Sequence, residues 1–413
     1  MRMRVVDFLV EKLYEEGAEH CFFVPGTGCM FLTDALARSD KMIDVSVHHE
    51  QAAGMSAISY AKYNKKLGAC IVTTGCGGTN AITPLLDAWQ DSVPCIFVSG
   101  QARRDQTVHN AKVALRQMGR QEADIVALTQ HITKYSVMLN DINTVVYEIE
   151  KAIYLAKEGR KGPSWIDIPM DIQNAIIDPD EQQHYVEEHK KIMMDMEQND
   201  ALDIIDALKQ AQRPIILAGN GIRLADAESD FLEFVMHYNI PVTYTRLGHD
   251  LIPTDNELSI GMVGMLGASR AGNFALQNAD LVLCIGCRLS IDTTGYEYEK
   301  FAREAKVIVV DIDEQEHSKN TVKIDKLILS DAKKFLKFMN GIQVPKVWNE
   351  WSAKCLHWKK HFPTCIDEYR KGERINMYYF TEVLSKVLPD NATVVSDAGN
   401  TFFTVSPIIN IKL

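Results

Sequence analysis

Glu50 stands in the stretch VHHEQAAGMSAISYAK, residues 47 to 62, between an apolar run (MIDVSV) and a series of small residues at helical spacing. A carboxylate at a helix start complements the positive end of the helix dipole. A carboxylate just outside the carboxyl end of a parallel strand instead sits where α/β folds hold ligands. In apolar surroundings such a group holds its proton to higher pH and can exchange it with a bound molecule. The helix behind Glu50 carries no charge until Lys62, which predicts burial on most of its faces and a pocket role for the acid. His48 and His49 read as packing or hydrogen-bonding residues rather than bases.

The second chemical feature is TTGCGGTNAITPLLDAW, residues 73 to 89. A strand runs into Gly75, Gly77 and Gly78, and Thr79 and Asn80 open a helix. The glycines admit close approach of the backbone, and the helix start presents free N–H groups. The pattern is neither GxGxxG nor a P-loop, because no lysine follows. FVPGTGCMFL, residues 22 to 31, is a similar turn. In RQMGRQEADIVALTQHITKY, Gln121 and Glu122 precede an apolar helix, either as caps or as site residues. Two glycine turns and an acid at three successive strand ends predict one shared crevice. Further along, AGNGIR (218–223), GMVGMLGASRAG (261–272) and CIGCRLSIDTTG (284–295) repeat the arrangement, and VIVVDIDEQEHSKN ends a strand on two acids. These fit an adenine dinucleotide laid across strand ends, or purely structural glycine turns.

Positioning such groups requires a scaffold. Apolar runs alternate with amphipathic stretches, the signature of βαβ units and a parallel sheet. Strands are predicted at HCFFVPG, MIDVSVHH, GACIVTTG, PCIFVSG, KYSVML and PSWIDIP, and then at RPIILAGN, PVTYTR, LSIGMV, ADLVLCIG and KVIVVDID. The predicted fold is α/β: two doubly wound parallel-sheet domains, 1–172 and 201–340, plus the start of a third, 373–413, comprising one helix and one strand. Segments 173–200 and 341–372 read as linkers. A chain of 413 residues with 46% hydrophobic content can build such cores, and its net charge of −11 without a basic block argues against nucleic acid or an anionic membrane as partner. No apolar run is long enough to span a bilayer. The nine cysteines lie among apolar neighbours, the usage of a reduced, cytoplasmic protein; Cys284 and Cys287 sit within a strand-like run rather than a metal or redox motif.

The order PGTG, HHEQAAGMSAISYA, TTGCGGTNAITPLLDA, DSVPCIFVSGQ, RQEADI, GPSWIDIPMDIQ, GMLGASRAGNFALQNADLVLCIGCRL and VIVVDIDEQEHSKN resembles the thiamine-diphosphate enzymes of the acetolactate synthase type over most of residues 1 to 400. The resemblance implies a pyrimidine-binding domain, a central domain and a diphosphate-binding domain. It implies that Glu50 hydrogen-bonds the cofactor's aminopyrimidine and relays a proton. It also implies that Gln121 lies near the thiazolium, and that Pro25, Gly26, Gly28, Thr74 and Asn80 line the pyrimidine pocket. A 2-oxo acid would lose carbon dioxide and the remainder would join a second carbonyl, as in the conversion of pyruvate to 2-acetolactate. A related decarboxylase or lyase, or a non-catalytic remnant binding a nucleotide or partner subunit, are the alternatives. The family shares its sites between subunits, so a homodimer or homotetramer is expected. Asn400 and Thr401 in SDAGNTFF match positions that touch the diphosphate, but the family's Gly-Asp-Gly motif does not occur, so magnesium ligands are missing and this chain is expected to bind the cofactor weakly or not at all. Gly219, Gly221, Met265, Leu266, Gly267 and Arg288 match a surface that holds FAD in flavin-containing relatives; the chain reads CRLSID where those relatives read ARFDDR, which leaves flavin open.

Overall fold

Strands whose every residue is buried mark the middle of a parallel sheet covered on both faces. In the computed structural model, which describes residues 1–187, 198–344 and 346–412, β4 (Gly68–Val72), β5 (Cys95–Gln101) and β7 (Ser164–Pro169) are of that kind. They join β2 (His20–Phe23), β3 (Ile43–Ser46) and β6 (Tyr135–Met138) in a six-stranded, wholly parallel sheet of order β3-β2-β4-β5-β7-β6. All six lie where the apolar runs predicted them. A small antiparallel pair, β1 (Met3–Arg4) with β8 (Ile176–Ile177), ties the chain start to the end of this layer. This first unit runs from Met1 to Lys190.

Strand β3 lies on one side of β2 and β4 on the other. The direction of winding therefore reverses between β2 and β4, and a doubly wound sheet opens a crevice at that point. One face of the sheet packs on Val5, Leu9, Leu32, Val145 and Ile149; the other packs on Ala53, Ala57, Ile58 and Leu85. Phe97 and Trp165 stack within the second cluster, centroids 5.5 Å apart.

The helix Glu50–Asn64 corrects one expectation. It buries a single stripe (Ala53, Gly54, Ala57, Ile58, Ala61) and exposes Gln51, Ala52, Met55 and Ser59. The stripe lies against the sheet and the neighbouring helix because its residues are small: a Cβ on Gly54 would come within 3.1 Å of Phe97 Cε1 in β5 and 2.4 Å of Pro84 Cγ. Absence of charge thus does not mean burial within one chain.

The second unit, Lys191–Leu413, holds β9 (Pro214–Ala218), β10 (Val242–Tyr244), β11 (Ser259–Met262), β12 (Leu281–Ile285), β13 (Lys306–Asp311) and β14 (Lys326–Leu329). Their order, β11-β10-β9-β12-β13-β14, is again parallel throughout. Five were predicted; β14 was not, because KLIL is short and flanked by charge, and pairing with β13 decides its conformation.

The segments read as linkers are more structured than tethers. Residues 173–187 carry β8 and belong to the first unit, and Gln198–Gln210 is a helix; 188–197 lie outside the described residues. Within 341–372, helix Asn349–His361 packs on the second unit through Trp348 and Trp351, whose indole N–H groups donate to the carbonyls of Ala211 and Pro214 at 3.0 and 2.9 Å. In 373–413, helix Met377–Val387 forms as expected, but the strand predicted at ATVVSD does not: Val395 is 89% exposed. A strand needs a neighbouring ladder, and no described strand lies beside it. Helix Asn400–Val405 follows, and Ile411 exchanges two hydrogen bonds with Thr254.

Candidate functional site

The carboxyl ends of β3, β2 and β4 are adjacent in the first sheet, and each delivers one predicted motif. Beyond β3, His49 adopts an extended conformation and its Nδ1 accepts from the Gln51 N–H at 3.1 Å. The histidine is thereby a helix cap, and the cap places Glu50 in the first helical turn. Beyond β2 comes Pro25-Gly26-Thr27-Gly28; beyond β4, Thr73 to Asn80.

These turns are locked together. The Gly28 N–H donates to Thr73 Oγ1 at 3.1 Å, and Thr74 Oγ1 donates to the Gly100 carbonyl at 2.9 Å. A Cβ on Gly26 would approach Thr73 to 2.5 Å, and one on Gly28 would lie 1.8 Å from Thr74 Oγ1. Pro25 and Asn80 are exposed, Thr74 partly buried. Gly26, Gly28 and Thr74 therefore build the turn-to-turn contact, while Pro25 and Asn80 face outward from it.

Glu50 is partly buried, not enclosed. Its Oε2 accepts from Asn80 Nδ2 at 2.9 Å, which joins two sequence-predicted residues across the crevice. A Cβ on Gly77 would stand 3.5 Å from Glu50 Oε1, so glycine keeps space open beside that oxygen. Oε1 has no hydrogen-bond partner among the described residues. One carboxylate oxygen is thus oriented by the protein and the other is free to accept from a bound N–H.

Gln121 is exposed and lies in the left-handed region, φ 57°. Its carbonyl faces Gly75: a Cβ there would be 1.7 Å from Gln121 O, and Gly75 itself has φ 64°. The main chain of Gln121 is therefore at the crevice, beside the glycine turn. Gly75→Ala combines a disfavoured φ with a backbone clash, and a loss of about 1–3 kcal/mol is expected from the urea midpoint, with Gln121 displaced. Glu122 is a buried structural acid whose Oε1 accepts from the Val108 and Met118 N–H groups at 3.2 and 2.7 Å.

Asp167 is not among the residues singled out from the sequence. It lies within WIDIP of β7, fully buried, with Ser99 Oγ donating to Oδ1 at 2.6 Å and Gln101 Nε2 to Oδ2 at 3.0 Å. Burial pushes its carboxyl up to about 7, against the pull of those two donors. An aspartate within an otherwise apolar strand was the available signal.

In the second unit, Gly219 and Gly221 pack on the backbone of Gly286, where added Cβ atoms would come within 2.1 and 2.6 Å. Met265 and Leu266 are exposed, and Gly267, φ 61°, faces the Phe403 carbonyl. Arg288 pairs with Glu316 at 3.3 Å. Arg246 lies over the Phe402 and Phe403 rings and donates to the Leu266 carbonyl at 2.7 Å. Asn400 and Thr401 are exposed in the first turn of a six-residue helix. Among the described residues no group of three or more His, Cys, Asp or Glu side chains comes together as a metal site, and no helix is long and apolar enough to cross a membrane.

Known proteins share this scaffold. Residues 3–128 match the family model for the N-terminal TPP binding domain of thiamine pyrophosphate enzymes, and residues 202–339 the model for their central domain. The chain is 32% identical over 98% of its length to the chloroplastic acetolactate synthase of Arabidopsis thaliana, covering 60% of that protein. It is 31% identical over 95% of its length to the acetolactate synthase large subunit of Haemophilus influenzae, covering 68%. The corresponding subunit of Lactococcus lactis is 33% identical over 95% of this chain, with 66% of it covered. The chain thus spans about three fifths to two thirds of the length of these relatives. With Glu50, Asn80 and the two glycine turns assembled at the switch point of the first sheet, the chain belongs to the thiamine pyrophosphate enzyme family.

Proposed function

We propose that this chain supplies the pyrimidine-binding half of a thiamine-diphosphate site in an acetolactate synthase-like enzyme. The reaction class is decarboxylation of a small 2-oxo acid such as pyruvate, followed by ligation to a second carbonyl. The observation that carries the reading is the Glu50 carboxylate, held at Oε2 by Asn80 and open at Oε1 beside Gly77. The cofactor, when bound, supplies the electron sink. The protein's part is to orient and to move a proton. Glu50 Oε1 accepts a ring N–H, the glycine turns after β2 and β4 bring the backbone close to the ring, and Gln121 stands at the rim. Asn400 and Thr401 would face the diphosphate by their match to the family. Among the described residues no group of side chains assembles as a magnesium site.

A flavin is not part of this reading. Gly219 and Gly221 pack on the backbone of Gly286, and Gly267 on that of Phe403, so these glycines serve as turns of close backbone approach. The uncharged exposed face Gln51, Ala52, Met55 and Ser59 next to Glu50 supports pairing with a second copy, as a dimer or tetramer. Nine free cysteines, eight of them buried, fit a reducing compartment such as the cytoplasm.

Calorimetric titration with thiamine diphosphate and magnesium tests the proposal. Weak binding is expected, with Glu50→Ala lowering the affinity by about tenfold or more, the loss of one charged hydrogen bond. Binding indifferent to Glu50, or no binding at millimolar cofactor, would overturn it.

A further inference from the structure

We propose that Gln101 and Asp167 form a positioning pair that holds the segment carrying Gln121 against the glycine turn after β4. The proposal deepens the reading above, because it concerns how Gln121 reaches that crevice.

Gln101 is the last residue of β5 and is 1% exposed. Every polar position of its amide is used. Nε2 donates to Asp167 Oδ2 and to the Ala123 carbonyl, each at 3.0 Å, and Oε1 accepts from the Ala102 N–H at 2.9 Å. Reversing the amide would set its oxygen against two acceptors, so Asp167 dictates which end of Gln101 faces Ala123. Asp167 is held in turn: Ser99 Oγ donates to Oδ1, and Ser99 accepts from the Trp165 indole N–H at 2.9 Å. The line Trp165–Ser99–Asp167–Gln101 thus runs from the sheet core to one carbonyl of the segment after β5.

That carbonyl lies two residues from Gln121. Ala123 O also accepts from the Ile125 N–H at 2.9 Å, which joins the contact to the start of the helix Ile125–Thr129. Between them, Glu122 gathers the Val108 and Met118 N–H groups. Asp124 caps the helix through the Ala127 N–H and holds His109 Nδ1 at 3.0 Å. Residues 102–124 otherwise contain one short 3-10 turn, Arg104–Gln106, and expose Val113, Leu115 and Met118. With so little internal structure, the segment depends on side-chain ties: Asn110 and Arg104 reach Asn140 and Asp171, and the Gln101 tie joins the sheet core to the carbonyl two residues from Gln121. Burying a carboxylate there is costly, and its two donors are Ser99 Oγ and Gln101 Nε2 itself. The charged groups near Asp167 are Asp124 and His109, both in the same segment.

Hydrogen exchange of the chain without cofactor tests this. In Gln101→Leu, protection of the Met118 and Ile125 amides is expected to fall about tenfold, the value of one buried hydrogen bond, while the amides of β4 and β5 stay within about twofold. Val98→Ala, a buried core residue of β5 outside this line, serves as the core control; it lowers protection across the sheet without a selective effect on Met118 and Ile125. Gln101→Glu adds a pH readout. Near pH 8 two carboxylates face each other and the segment loosens; near pH 5 a protonated Glu can again donate to the Ala123 carbonyl, and protection returns. Uniform loss in Gln101→Leu, unchanged protection at Met118 and Ile125, or a Gln101→Glu variant insensitive to pH each refutes the positioning role. Because no cofactor is present, these outcomes are independent of whether thiamine diphosphate binds at Glu50.

Discussion

Glu50→Gln is expected to lower turnover of a 2-oxo acid by about 10²- to 10⁴-fold, the usual worth of a positioned proton-transfer group. The substitution separates geometry from proton exchange. A glutamine oxygen can still accept from Asn80 Nδ2, and the residue remains in the first turn of its helix, so the crevice keeps its shape. What disappears is a carboxylate able to exchange a proton with a bound ring nitrogen. Fold stability changes little, by about 0.3–1 kcal/mol for a first-turn acid replaced by its amide. The measurement is pyruvate-dependent carbon dioxide release by an assembled enzyme containing this chain, with thiamine diphosphate and magnesium, beside a melting curve of each variant. Activity within roughly tenfold of the parent at equal stability would remove Glu50 from the proton path.

The second large effect concerns pH. Unfolded, Asp167 titrates near the ordinary 3.8; folded, burial pushes it up to about 7. Between those values the native state holds a proton that the unfolded chain has released. The resulting stabilisation is fully present below about pH 4 and is lost as pH rises through about 7. The stability of the first unit should therefore fall by about 2–4 kcal/mol between pH 5 and pH 8.5 through this group. Asp167→Asn has no proton to lose, so its urea midpoint should vary less across the same window, whatever its absolute stability. Parallel pH profiles for the two proteins would show that Asp167 does not titrate there. The same burial makes the ionised form costly, which is why both of its oxygens are met by donors from Ser99 and Gln101.

The most local features of the sequence were the most legible. All six strands of the first sheet and five of the second could be read, because strands in a sheet covered on both faces read as largely apolar runs. The glycines of PGTG and TTGCGG could be read as turns of close approach for the same kind of reason: a Cβ at Gly26, Gly28 or Gly75 has nowhere to go. The site motifs could even be placed at strand ends, since each follows its strand directly in the chain. Strand β14 and the failed strand at ATVVSD mark the limit. Both segments are short and ambiguous, and the presence or absence of a neighbouring ladder decided between them. The supposed linker 341–372 likewise became a packed helix once Trp348 and Trp351 found carbonyls to bond.

Long-range partners belong to tertiary structure alone. Nothing in VHHEQAAG says that Glu50 is held by Asn80, thirty positions on; that follows from β3, β2 and β4 lying side by side. Nothing in WIDIP says that its aspartate orients Gln101, 66 positions earlier, and through it the carbonyl beside Gln121. The uncharged helix after Glu50 gave the sharpest lesson: its composition announced a buried surface, but only the packing showed that one stripe meets the sheet and the other is left open. Side-chain type and spacing determined by themselves which groups could do chemistry, because hydrogen-bonding capacity and backbone freedom are properties of single residues. Which of those groups meet, and in what state of ionisation, was decided by the fold, because distance and burial are properties of pairs and of their surroundings.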